Sequence, residues 1–153
     1  MFRYNEVTVK KIEAQLLAQE VAVIWSLSEE YQHFLAQQQL PSHWKIEKFV
    51  PQAALLQSGK ADVFCTHCGS NSVYEALLSG VPMVSNPGSA DQPANAVRIV
   101  RAGVGIIAKD KEGGLGPALA SLLENLEEVT LKTRSLSKTL SSNNAGQTAV
   151  DLI

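Results

Sequence analysis

The residues best suited to chemistry lie in two short polar stretches, His67-Cys68-Gly69-Ser70-Asn71-Ser72 and Asn86-Pro87-Gly88-Ser89-Ala90-Asp91-Gln92. The first follows a β-prone apolar run and leads into a segment with helical spacing. A glycine-containing, hydroxyl-rich turn at the start of a helix presents free backbone N–H groups and the positive end of the helix dipole, which together suit a phosphate. The second stretch follows the next apolar run. In an open parallel sheet, ligands bind beyond the carboxyl ends of the strands, so the two loops are expected to converge on one crevice.

Other readings of the same residues stand beside this one. Ser72-Val73-Tyr74-Glu75 is a capping box, in which Ser72 would cap a helix and Glu75 would reach back to the cap's N–H. Taken alone, His67 at a strand end is more often packed or solvated than functional. Cys65-Thr66-His67-Cys68 has the spacing of a redox dithiol or half a metal site, but neither fits. A zinc site wants about four ligands, and His33 and His43 lie in other segments without a second cysteine pair. A thioredoxin-like dithiol would set its second cysteine in the helix start, whereas Gly69-Ser70-Asn71 intervene.

The elements that must position these loops are legible from periodicity. Val7 to Leu17 carries Val9, Ile12 and Leu16 on one helical face. Val21 to Ser26 is nearly continuously apolar, as expected of a buried parallel strand. A helix is expected over Ser28 to Gln38, then a break at Pro41-Ser42, a strand over Trp44 to Phe49 and a short helix over Ala53 to Ser58. Ala61 to His67 is the third strand, Ser72 to Ser79 a helix with Gly80 as its C-cap, and Val81 to Ser85 the fourth strand. Pro93 suits the first turn of a helix reaching about Arg101, and Gly103 to Ala108 is the fifth strand. Lys109 to Gly113 reads as a solvated loop. Helices over Pro117 to Leu126 and Val129 to Leu140, and a last one over Ala145 to Ile153, close the chain. This alternation predicts an α/β domain with a parallel sheet of about five strands covered on both faces, residues 1–153 forming a single domain. Trp25 and Trp44 read as packing residues.

Composition narrows the function. The 153 residues are 45% hydrophobic and 18% charged, within the range of one globular domain with a sizeable core. A formal net charge of -2 supplies no basic field for nucleic acid or an anionic membrane surface. The longest apolar runs fall far short of the roughly 20 residues that span a bilayer. The first residues lack the apolar core of a signal peptide, so a cytoplasmic location is expected of the chain as given.

The stretch from Phe49 to Gln92 resembles the donor-binding signature of the UDP-glycosyltransferases. Its landmarks are Phe49-Val50-Pro51-Gln52, Thr66 to Ser72, Glu75, Gly80-Val81-Pro82, Pro87 and Asp91-Gln92, each at the family's spacing. About ten landmarks without a gap are far more specific than a lone glycine motif. The resemblance implies the Rossmann-like, doubly wound C-terminal half of a GT-B glycosyltransferase. It further implies that Phe49 stacks on uracil and that Gln52 holds the base or ribose. His67, Gly69, Ser70, Asn71 and Ser72 would cradle the diphosphate, Glu75 would bind the ribose hydroxyls, and Asp91 and Gln92 the sugar hydroxyls. Ser70 and Ser58 stand where the plant signature has tryptophan and histidine, which disfavours the plant subgroup.

On the same resemblance, the donor is a UDP-sugar, a hexosyl group passes to an acceptor hydroxyl, and no metal or other cofactor is expected. The catalytic base is expected outside this chain, in the N-terminal acceptor domain, which no segment resembles; the strand that normally opens the C-terminal domain is also expected to be missing. Two roles follow: a catalytic component completed by a longer form or by an acceptor-domain partner protein, or a non-catalytic module that keeps the donor pocket.

Overall fold

The computed structural model describes residues 5–35, 40–108 and 114–142. The end of the helix expected over Ser28 to Gln38, the loop from Lys109 to Gly113 and the helix over Ala145 to Ile153 lie outside them.

Twelve elements alternate along the chain: α1 Glu6–Leu17, β1 Val23–Ser26, α2 Glu29–Gln32, β2 Trp44–Glu47, α3 Gln52–Gln57, β3 Phe64–Thr66, α4 Ser70–Ser79, β4 Met83–Ser85, α5 Gln92–Arg101, β5 Gly105–Ile107, α6 Leu115–Glu124 and α7 Leu126–Ser142. Local chemistry sets several boundaries. Asn5 caps α1, its Oδ1 accepting from the Thr8 N–H at 2.8 Å. Gly80 ends α4 in the left-handed conformation at φ 68°, and a Cβ there would stand 2.9 Å from Arg134 Cγ on α7. Pro93 sits in the first turn of α5.

Every strand pairing is parallel, β1 with β2 and β3 with β4 with β5. Side-chain alternation along β4 separates two covering layers. Met83 points into a core with Ala76 of α4 and Ala96 and Ile99 of α5. Val84 points the other way, into a core with Leu16 of α1 and Leu115, Leu119 and Leu122 of α6. The crossover from β1 to β2 packs on the α1 side, where Val9, Leu27 and Leu35 cluster with Trp25 and Ile46. Right-handed crossovers on opposite faces step in opposite directions. The order is therefore β2-β1 followed by β3-β4-β5, with the reversal of direction between β1 and β3.

Three expectations change. The strands are three or four residues long, shorter than the runs containing them, because only part of each run finds ladder partners. The segment expected as a helix from Ser28 has one turn, α2, followed by Phe34 and Leu35 N–H groups bonding three residues back. Finally, the five strands form two ladders instead of one continuous sheet. The inner edges of β1 and β3 carry no strand among the described residues, and β1 alternates half-buried positions on the α1 face with exposed ones on the other, Ile24 being 49% exposed, where full burial was expected.

Candidate functional site

The loops at the carboxyl ends of β2, β3 and β4, together with the first two turns of the helices that follow them, carry the residues singled out for chemistry. The loop after β2 holds Phe49, 74% exposed, and leads directly into α3, whose first residue is Gln52. The Lys48 ammonium lies 3.2 Å from the Glu29 carboxylate beside it.

The loop after β3 turns tightly at Cys68, whose backbone position is unusual. Cys68, fully buried, adopts φ 68°, a left-handed conformation that costs a non-glycine residue about 1–3 kcal/mol and recurs at functional sites. Thr66 Oγ1 holds this turn by accepting from the Cys68 N–H at 3.1 Å. Gly69 follows as the N-cap of α4, and a Cβ on it would lie 2.7 Å from His67 Nε2. Glycine is needed here so that the imidazole can fold over the start of the helix. Burial pushes the Cys68 thiol up, which keeps it protonated, and Cys65 is exposed on β3.

Helix α4 begins at Ser70, two residues earlier than expected, and this overturns the capping box. The N-cap is Gly69, without a side-chain cap bond, and Ser72 and Glu75 both lie within the helix. Their side chains turn instead to α3. Gln52 Nε2 donates to Glu75 Oε2 at 2.7 Å and to Ser72 Oγ at 3.2 Å. Without a side-chain cap, the N–H groups of Ser70, Asn71 and Ser72 face a solvent-accessible helix start, an anion-binding arrangement.

The loop after β4 closes the other side. Gln92 Oε1 accepts from the N–H groups of Gly88 and Ser89 at 2.8 and 3.1 Å, so the carboxamide braces its own loop while its Nε2 is turned away from those bonds. Ala90 adopts φ 58°, a second left-handed non-glycine residue. Asp91 Oδ2 accepts from Ser70 Oγ at 2.7 Å. That bond, helped by backbone and Asn95 hydrogen bonds, holds the Asp91 carboxyl below its ordinary value of 3.8.

The structure thus brings Gln52, Ser72 and Glu75 together on one flank of the α4 N-terminus and Ser70 and Asp91 on the other. His67 lies over Gly69 between them. Phe49 and Asn71 stand exposed. Sequence reasoning missed Asn95. This residue is 8% exposed, and its Nδ2 lies 3.0 Å from Cys68 O, 3.2 Å from Ser70 Oγ and 2.9 Å from Asp91 Oδ2. The available signal was its spacing: Asn95 and Ile99 lie four residues apart on the inward face of α5. Among the described residues, no group of three or more His, Cys, Asp or Glu side chains could hold a metal ion, and no helix is long and apolar enough to cross a membrane.

Comparison with known proteins bears on this arrangement. The model of the family described as "UDP-glucoronosyl and UDP-glucosyl transferase" matches residues 3–134. Mogroside IIIx synthase of Siraitia grosvenorii is 36% identical over 105 residues, covering 63% of this chain and 22% of the relative. UDP-glucuronosyltransferase 3A1 of Homo sapiens is 39% identical over 84 residues, covering 55% of this chain and 16% of the relative. The chain thus spans about a fifth of these relatives. Both plant and animal proteins match, so the two departures from the plant signature do not set the chain apart from plant proteins. Among solved structures, UDP-glucose: anthocyanidin 3-O-glucosyltransferase in complex with UDP superposes with a TM-score of 0.86 at 25% identity, covering 94% of this chain and 34% of that one.

Proposed function

The chain belongs to the UDP-glucoronosyl and UDP-glucosyl transferase family, and from that premise we propose that it is the donor-binding half of a UDP-sugar hexosyltransferase. The observation that carries this reading is the α4 N-terminus, open between Gln52 and Glu75 on one flank and Asp91 on the other. The diphosphate would lie against the N–H groups of Ser70, Asn71 and Ser72 and beside His67, which places its negative charge on the positive helix end. From there the ribose reaches Glu75, a carboxylate able to accept from two hydroxyls, and the uracil reaches Gln52 and the exposed ring of Phe49. The sugar points the other way, toward Asp91 and the Nε2 of Gln92.

In transfer, an acceptor oxygen attacks the anomeric carbon, the bond from that carbon to the β-phosphate oxygen breaks, and the hydroxyl proton passes to a general base. Helix-start N–H groups and His67 would stabilise the charge building on the leaving diphosphate. The base and the acceptor pocket come, on this proposal, from an acceptor-binding half in a longer form or in a partner chain. The inner edges of β1 and β3, unpaired among the described residues, support a matching proposal for the domain: a further parallel strand completes the sheet between them.

Calorimetric titration of the purified chain with UDP, ADP and GDP tests the donor site. UDP should bind tightest, because the platform and edge contacts suit a pyrimidine. Equal binding of all three would overturn the reading. Incubation with UDP-sugars and an acceptor panel should yield no glycoside until an acceptor-binding half is added; robust transfer by the chain alone would refute the division of labour.

A further inference from the structure

Asn95 touches both the loop after β3 and the loop after β4 from within the protein. Its Nδ2 carries two hydrogens for three acceptors: the Cys68 carbonyl, Ser70 Oγ and Asp91 Oδ2. The Cys68 carbonyl belongs to a strained left-handed residue, which persists only where its surroundings hold it. The other end of the amide is fixed as well, because Arg98 Nη1 donates to Asn95 Oδ1 at 3.0 Å. An amide turned over would set its oxygen against a carbonyl and a carboxylate and its NH2 against a guanidinium, so the Cys68 carbonyl, Asp91 and Arg98 together fix which end faces the loops.

We propose that Asn95 is a positioning residue that locks the diphosphate cradle to the sugar-reading carboxylate, presetting Asp91 before the donor arrives. The proposal rests on the donor-site reading above. It assigns Asn95 no contact with the ligand. Ser70 and Asp91 alone would hold each other through exposed bonds, open to competition by water; the buried amide gives the pair a third member that water does not displace. Asn95 and Ser70 both bind the same carboxylate oxygen, Oδ2, and so fix the orientation in which Asp91 is presented to a sugar hydroxyl.

The test is a double-mutant cycle read by calorimetry, with UDP and with whichever of UDP-glucose, UDP-glucuronate and UDP-N-acetylglucosamine the unaltered chain binds tightest. Asn95→Ala should weaken the UDP-sugar about tenfold more than it weakens UDP. In an Asp91→Ala background the same change should add less than about twofold, because a residue that acts through Asp91 has nothing left to position. A role in folding alone would lower both ligands and both backgrounds equally, and that result would overturn the proposal. Should Asn95→Ala fail to fold, Asn95→Asp serves instead: a carboxylate of nearly the same shape has no N–H to donate to Asp91 and should give the same UDP-sugar-selective loss, while no selective loss would overturn the proposal. Absence of UDP binding by the unaltered chain would instead strike the donor-site reading itself.

Discussion

The two ladders are made of the same kind of short parallel strand, yet they bury it differently. Along β4 all three residues are buried, Met83 and Val84 completely, because β3 and β5 pair on both sides and helices cover both faces. Along β1 burial alternates, because Val23 and Trp25 pack into the cores on the α1 side while Ile24 and Ser26, on the other face, are exposed. Apolar sequence supplies the capacity for burial, and neighbours on both edges and both faces realise it. The same contrast runs through the loops. Those after β3 and β4 are cross-linked through Ser70, Asp91 and Asn95, whereas the loop after β2 offers Phe49 to solvent. A braced cradle stands beside an open aromatic platform.

The sharpest way to break this contrast is in the core of the β3-β4-β5 half. Met83→Ala empties a site with no exposure, packed against Ala76, Ala96 and Ile99, and should cost about 3 kcal/mol in urea unfolding. A loss under about 1 kcal/mol would mean that the layer between β4 and helices α4 and α5 is loosely packed.

Next in size is Glu75→Gln. With capping excluded by the position of Gly69, the side chain's remaining roles are its bond to Gln52 and the proposed ribose contact. The change should weaken UDP about tenfold, equivalent to about 1.4 kcal/mol, with the melting temperature nearly unchanged. A lower melting temperature with normal UDP affinity would reduce Glu75 to a link between α3 and α4.

A smaller effect follows at Asp91. Ser70→Ala removes the largest contribution to its lowered pKa, so the carboxyl should move back up toward 3.8, followed by carbon-13 NMR titration. The sign is fixed by linkage. A depressed folded pKa contributes stability that is full above the unfolded value and lost as pH falls through the folded one, so Ser70→Ala should lessen the loss of stability on acidification below about pH 4. An unchanged titration would show that Asn95 and the backbone suffice to hold the carboxylate.

The smallest change is expected at the inner edge of β1. Ile24→Ala, at a position 49% exposed, should alter stability by no more than about 0.5 kcal/mol in the same unfolding assay that reports Met83→Ala. If an added strand completes the sheet in a longer form, the substitution should cost several times more there. Equal small effects in both forms would count against that strand.

How much of this was legible beforehand can be argued from particular residues. The alternation of apolar runs with helical spacing was enough for a parallel α/β domain, and the residues from Phe49 to Gln92 were enough for the family, since both depend on residue type and separation along the chain. Gly80 as a C-cap and Pro93 as a helix opener were equally readable, each being a local backbone preference. What chain order could not express was which polar side chains would find one another. Ser72 and Glu75 have the spacing of a capping box, and that reading failed because Gly69 can start the helix two residues earlier and Gln52, 23 residues before Glu75, reaches its carboxylate. Asn95 drew no notice in a helix of ordinary composition, because its partners Cys68 and Ser70 lie 27 and 25 residues away along the chain. The break between the ladders was likewise invisible in Val21 to Ser26, whose apolar run shows that burial is affordable and says nothing of whether a neighbour arrives. Local preference and periodicity are properties of consecutive residues, and the sequence by itself determined them; hydrogen-bond pairing, strand neighbours and the covering of faces are settled only when distant segments compete for the same partners in three dimensions.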